Sequence, residues 1–413
     1  MKTRISLPLQ MAIGMLLGIL AGIAAPAVGF DPAWFKPIGQ LFINLIRMVV
    51  VPLVIATIIA GAASVGDVSK LGRVASKTLI YYFATTAIAV TIGLILANLV
   101  APGEGLNLAK DGLQAKAASS PKLVDVFLNI VPLNPVDSMS KGNMLQVIFF
   151  AMLFGFGLSA VGERGKTVLS FFDGCGEVMI KVTNIVMIYA PIGVFGLIAF
   201  TVASHGLAVL LPLVKVIGVV YVACIFHVLI CYIPLIRVCG LSPATFLRMI
   251  SAPVMIAFTT CSSAAALSTN LIQVQKLGAS KPVSSFSIPL GNTINMDGTA
   301  VYMGVVAVFV AELYGIPLPL DKQFEVILVG VLASIGTVGV PGAGLLMSTI
   351  VFTQVGIPLE GIAIVAGIDR ILDMCRTSVN VLGDATGAIV VSRWEGDFDP
   401  AKGALFAEEE EKR

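Results

Sequence analysis

Apolar runs long enough to cross a bilayer recur along this chain, beginning with "SLPLQMAIGMLLGILAGIAAPAVGF" at residue 6. Spanning the hydrocarbon takes a helix of about 18 residues or more. In lipid every backbone N–H and C=O must be paired within the segment, so such runs fold as helices. Only 12% of the 413 residues are charged, about half the share of a soluble domain. The chain therefore reads as an all-α polytopic membrane protein. A net charge of +2 makes no case for nucleic acid. The six cysteines show no paired metal spacing and read as buried thiols. His205 and His227 are too few and too isolated for a metal site.

Hydropathy places eight spans near 7–29, 38–63, 77–101, 143–161, 178–203, 208–238, 281–313 and 357–392. The first lacks a clear cleavage site and is longer than a signal-peptide core, so it reads as a membrane helix. Its Gly14, Gly18 and Gly22 recur every four residues, which allows close helix packing. Lys2, Arg4, Lys70, Arg73 and Lys77 mark the N-terminus and the first loop as cytoplasmic. Segment 102–142 reads as an external loop with short helices, and "FAEEEEKR" as a solvated charge run. "GERGKTVL" lacks a phosphate loop's first glycine, which would fall at Ala160.

Two apolar regions, 246–274 and 324–355, are interrupted near their centres by "TTCSS" and "GTVGVPGAG". Their halves, about 10 to 14 residues, are too short to cross alone. Re-entrant hairpins or kinked continuous helices both satisfy that pattern. A hairpin turn at mid-membrane must line a protein cavity, and paired interruptions point to a transporter's site. A third interruption, "GNTINMDGTAVYMG" at 291–304, puts two asparagines and an aspartate in the middle of an apolar stretch.

The last span supplies the matching chemistry. Asp369, Asp373, Arg376, Asn380 and Asp384 fall within about 80° of one another on a helical wheel, forming one polar stripe. A structural ion-pair stripe is the plain alternative. Charges at mid-membrane cost at least ~2.5–3.5 kcal/mol on insertion scales, however, and normally face a pathway. Arg370 lies roughly 100° away and serves a helix end or a neighbour. Asp297, Asp384 and carbonyls freed by unwinding are hard oxygen ligands for a small cation. Arg376 has the planar fork that grips a carboxylate, and Asp373 suits an ammonium. That combination describes a site for an acidic amino acid.

"NMDGTA", the Gly/Pro-rich hairpin and "DMCRTSVNVLGD" resemble the glutamate transporter family of dicarboxylate/amino-acid:cation symporters, over about residues 5–396. The nearest likeness is to the prokaryotic sodium-coupled aspartate transporters. The resemblance implies eight transmembrane helices plus two re-entrant hairpins with inverted repeats, and a homotrimer working as an elevator. It divides the chain into 1–76 (scaffold spans one and two), 77–101 (transport-domain span three) and 102–206 (external loop, scaffold spans four and five). Residues 207–396 would complete the transport domain with span six, the first hairpin, span seven, the second hairpin and span eight. A polar cytoplasmic tail, 397–413, would follow, and both termini would lie inside the plasma (cell inner) membrane.

By the same resemblance, Arg376 holds the substrate's side-chain carboxylate and Asp373 its ammonium. Asn380, Ser263 and the first hairpin tip hold the main-chain carboxylate, with Thr299, Val340 and Gly344 completing the pocket. One sodium would use Gly291, Asn295, Asn380 and Asp384. A second would use Thr293, Ser334, Ile335 and Thr337, and a third Tyr82, Thr85, Thr86, Asn295 and Asp297. Met296 would stand between substrate and ions. The tip "CSSAAALST" departs from the family's serine-rich pattern, with Cys261 where some relatives carry arginine, and Asn292 stands where alanine is common.

Two other classes compete with the sodium-coupled symporter. A C4-dicarboxylate symporter would have no ammonium for Asp373 to meet. A channel needs no paired Arg and Asp in one pocket. Nothing resembles the nucleophile–base pair of a membrane enzyme.

Overall fold

The computed structural model describes residues 7–64, 68–104, 128, 131–206, 210–334 and 343–402, and the described residues contain helices and turns but no strands. The first helices are α1 (Leu7–Ala27), α2 (Lys36–Ser64) and α3 (Val68–Val100). A short α4 (Pro135–Lys141) leads into α5 (Met144–Val161) and the long α6 (Lys166–His205). Next come α7 (Leu210–His227), a π-helical turn (Val228–Tyr232) and α8 (Ile233–Val238). The interrupted regions form α9 (Pro243–Thr260) with α10 (Ser263–Lys276), and α13 (Leu320–Ser334) with α14 (Ala343–Val355). Between those pairs lie α11 (Lys281–Ile294) and α12 (Asp297–Leu313). The chain closes with α15 (Glu360–Ala366) and α16 (Asp369–Glu395).

Four stretches of the described residues are long and apolar enough to cross a membrane: Arg73–Val100, Gln146–Val182, Leu211–Val238 and Lys281–Leu313. Shorter apolar helices include Ile13–Ala27 and Ile188–Ser204. Two spans are broken, the first where the sequence reading places an interruption and the second where it places none. The 281–313 span is broken at Asn295–Met296, and the 357–392 span is two helices parted at Gly367–Ile368. The second break falls at Gly367, with Asp369 in the first turn of the next helix, and no proline or side-chain cap reinforces it.

The helices pack in two groups. In one, α1, α2 and α5 gather with α6. Gly14, Gly18 and Gly22 let α1 lie directly against α6: a Cβ on Gly18 would sit 2.8 Å from the Phe195 carbonyl oxygen. In the other group, α3, α7 and α9 to α14 surround α12 and α16. Every residue from Asp297 to Ala311 is buried, the signature of a helix enclosed on all sides. Both interrupted regions fold back on themselves, with α9 against α10 and α13 against α14. The first region is therefore not a kinked continuous helix. The turn of the second, including Ile335, Thr337 and Val340, lies outside the described residues.

Candidate functional site

The whole polar stripe of α16 is buried: Asp369, Asp373, Arg376, Asn380 and Asp384 are each no more than 6% exposed. It divides into two clusters of opposite chemistry.

The first centres on Arg376. Its Nη1 donates to Asp369 Oδ1 at 2.8 Å. Its Nη2 lies 2.9 Å from Asp373 Oδ1, an ion pair by distance whose N–H is not aligned as a hydrogen bond. The guanidinium carbon stacks 4.2 Å from the centre of the Tyr302 ring. Nε, though buried, has no hydrogen-bond partner among the described residues. A buried donor left unmatched costs about 1–3 kcal/mol, so this guanidinium has room for an acceptor that the described residues do not supply.

Elements from both hairpins converge on it. A Cβ added to Gly344 would lie 2.6 Å from Arg376 Cζ, so α14 can approach the guanidinium only because residue 344 is glycine. Cys261, at the turn between α9 and α10, follows Thr259 and Thr260, whose carbonyls accept from Arg370 at the start of α16. Ser263, the first residue of α10, is buried, and its hydroxyl has no partner among the described residues.

The second cluster forms where α11 ends and α12 begins. Asn295 (φ −89°, ψ 91°) and Met296 (φ −117°, ψ 47°) leave the helical region, so two helix ends meet inside the protein. Asp297 is the first residue of α12, where the helix dipole favours an anion. It accepts hydrogen bonds from Thr86 Oγ1 at 2.7 Å and Tyr232 OH at 2.6 Å. His227 Nε2 lies 3.3 Å from the same carboxylate. Asp384 accepts from Asn295 Nδ2 at 3.0 Å. Gly291 packs so tightly against Asp384 and the Tyr82 hydroxyl that a side chain there would collide with both. Asn295 Oδ1 is buried without a partner among the described residues. The cluster thus concentrates carboxylate, amide and hydroxyl oxygens around a break in the backbone, a donor set suited to a small hard cation.

Asn380 joins the two clusters. Its Oδ1 accepts from Gly298 N at 2.8 Å, while its Nδ2 points to Met296 Sδ at 3.1 Å and Thr299 Oγ1 at 3.4 Å. Of the residues expected at the site, the structure brings Arg376, Asp373 and Gly344 to one end. It brings Tyr82, Thr86, Gly291, Asn295, Asp297 and Asp384 to the other. Thr85, Thr293 and Ser334 bond back to their own helices, to Tyr82 O, Leu290 O and Val331 O. Ile335, Thr337 and Val340 fall outside the described residues.

Four contributors escape the sequence pattern. Asp369 is visible there as part of the stripe but not as the partner of Arg376. Tyr302 sits among apolar neighbours with nothing to single it out. His227 and Tyr232 are five apart, about 140° on an α-helix, so helical periodicity separates them. The π turn at 228–232 changes that angle and stacks the two rings edge to face at 4.8 Å beside Asp297.

A helical membrane protein with an interior cation-and-carboxylate site beside broken helices is, as a class, a solute transporter. The chain belongs to the sodium:dicarboxylate symporter family, whose model matches residues 7–394. It is 40% identical over 411 residues to a proton/sodium-glutamate symport protein of Geobacillus stearothermophilus, covering 98% of each chain. It is 38% identical to the proton/glutamate-aspartate symporter of Escherichia coli, covering 98% of this chain and 97% of that one. It is 37% identical to a C4-dicarboxylate transport protein of Anaeromyxobacter, covering 96% and 91%. The family is one of secondary transporters, not of enzymes.

Proposed function

We propose that this chain carries an acidic amino acid, aspartate or glutamate, into the cell together with sodium. The observation that carries the reading is Arg376, a fully buried guanidinium with an unmatched Nε–H, beside Asp373. The substrate's distal carboxylate meets Arg376 and its ammonium meets Asp373. Its main-chain carboxylate meets Ser263, Thr299 and Asn380, with Val340 and Gly344 closing the pocket.

Charge argues for cation coupling. The two clusters bury four carboxylates, Asp297, Asp369, Asp373 and Asp384, against the one guanidinium of Arg376, and an acidic amino acid adds net negative charge. Buried charge of one sign is costly unless compensated. Sodium at the Asp297 and Asp384 cluster, and below the second hairpin through Thr293, Ser334, Ile335 and Thr337, supplies that compensation.

The packing into two groups supports an elevator, in which α3 and α7 to α16 slide against α1, α2, α5 and α6. In this reading the chain has eight spans and two re-entrant hairpins, its termini are cytoplasmic, and the static group joins three copies into a homotrimer.

The likeness to C4-dicarboxylate transporters favours a second reading, a proton- or sodium-coupled dicarboxylate symporter. Succinate has no ammonium, so it would leave Asp373 and Asp369 sharing Arg376 with a third carboxylate. Uptake into proteoliposomes, with sodium and proton gradients imposed separately, tests both. The expected result is sodium-driven uptake of aspartate or glutamate in preference to succinate. Uptake driven by protons alone, or selective for succinate, would move the assignment to the second reading.

A further inference from the structure

We propose that Arg370 is a latch that positions the tip of the α9–α10 hairpin against the substrate site. Arg370 begins the same helix as the stripe but points off its polar face. Its Nη2 donates to Thr259 O at 2.9 Å, and its Nη1 reaches Thr260 O at 3.4 Å. Those are the last carbonyls of α9, which have no partner further along the helix and sit at the negative end of its dipole. One planar cation therefore caps two orphan acceptors and ties the hairpin to α16.

The tip is built to need such a tie. Cys261 sits at φ 53°, ψ 39°, the left-handed region, one of only two non-glycine residues with positive φ among the described residues. Local bonds tighten the turn around it. Ser262 N donates to Thr260 Oγ1 at 3.2 Å, and Ala265 N donates to Ser262 Oγ at 3.3 Å. None of these reaches α16; Arg370 does. Held in this way, the turn buries Cys261 to 1% exposure and Ser263 to 3%, at the start of the helix that carries Asp369, Asp373 and Arg376. A strained cysteine at a position where glycine would relax makes the tip depend on its latch.

The consequence for substrate affinity rests on the transporter reading above; the latch itself does not. The test uses Cys261 as its own reporter, in full-length protein in detergent with Cys175, Cys224, Cys231, Cys239 and Cys375 replaced by serine or alanine. The rate of N-ethylmaleimide modification, read without substrate, is expected to rise at least tenfold in Arg370→Ala and to return partway in Arg370→Lys, at unchanged melting temperature. Equal rates in Arg370→Ala and the parent would overturn the latch. Should the cysteine-depleted protein fail to fold, hydrogen exchange of residues 262–266 in the native-cysteine chain tests the same contact. Lost protection in Arg370→Ala supports the latch, and unchanged protection refutes it. If the tip loosens as expected while sodium and aspartate fail to slow modification of the parent, the latch stands and the substrate assignment is contradicted.

Discussion

The two ends of the α16 stripe are about two helical turns apart, yet they call for opposite partners. At Arg376 the fold buries a cation whose donors are incompletely matched, flanked by Asp369 and Asp373. At Asp384 and Asp297 it buries carboxyl groups whose partners are hydroxyl, amide and imidazole groups. The first calls for an acceptor and the second for a cation. Placed together, with Asn380 between them, they describe a protein that takes up an anion and a cation as one event.

Breaking the first end is expected to have the largest effect. Removing one partner of a buried charge cluster costs about 3–5 kcal/mol, so Arg376→Cys should weaken aspartate binding more than a hundredfold by isothermal titration. Unchanged affinity would take Arg376 out of the site. Breaking the second end comes next. Asp384→Asn or Asp297→Asn should flatten the sodium dependence of aspartate binding and weaken it by tens-fold at fixed sodium. If either variant keeps the parent's sodium dependence, that carboxylate does not hold the coupling ion.

Subtler changes sharpen the contrast. Asp373→Asn should weaken aspartate about tenfold more than succinate, because only aspartate brings an ammonium; equal losses would make Asp373 structural. Gly344→Ala forces a methyl onto the Arg376 guanidinium, and overpacking costs about 1–3 kcal/mol. It should lower aspartate affinity while leaving sodium binding alone in the absence of substrate. Tyr232→Phe removes one donor from Asp297 and is the mildest. It should shift the sodium midpoint several-fold at constant affinity under saturating sodium, as loss of one hydrogen bond to a charged group predicts.

What the sequence reveals depends on where each signal lives. The stripe is legible because offsets of 4, 7, 11 and 15 residues track the helical repeat, and all five side chains are buried on one face. The break at Asn295–Met296 is legible because asparagine, aspartate and glycine interrupt a run that could otherwise have continued. His227 and Tyr232 escape because a π turn alters the periodicity by which faces are read. Arg370's partners escape because they are backbone carbonyls 110 residues away, and no residue type advertises an uncapped helix end. The basic residues Arg73 and Lys77 speak in sequence for topology alone. In the fold they also clamp Glu395, at 2.7 and 2.6 Å, fastening the start of α3 to the end of α16.

If the two clusters act as one, their ligands must be thermodynamically linked. Aspartate affinity should be measured by isothermal titration across a range of sodium concentrations, and sodium affinity across a range of aspartate. Coupled clusters predict a steep rise of aspartate affinity with sodium, an equal reciprocal factor for sodium, and no effect of potassium. Aspartate binding that is indifferent to sodium and follows pH instead would make Asp297 and Asp384 proton carriers and contradict sodium coupling.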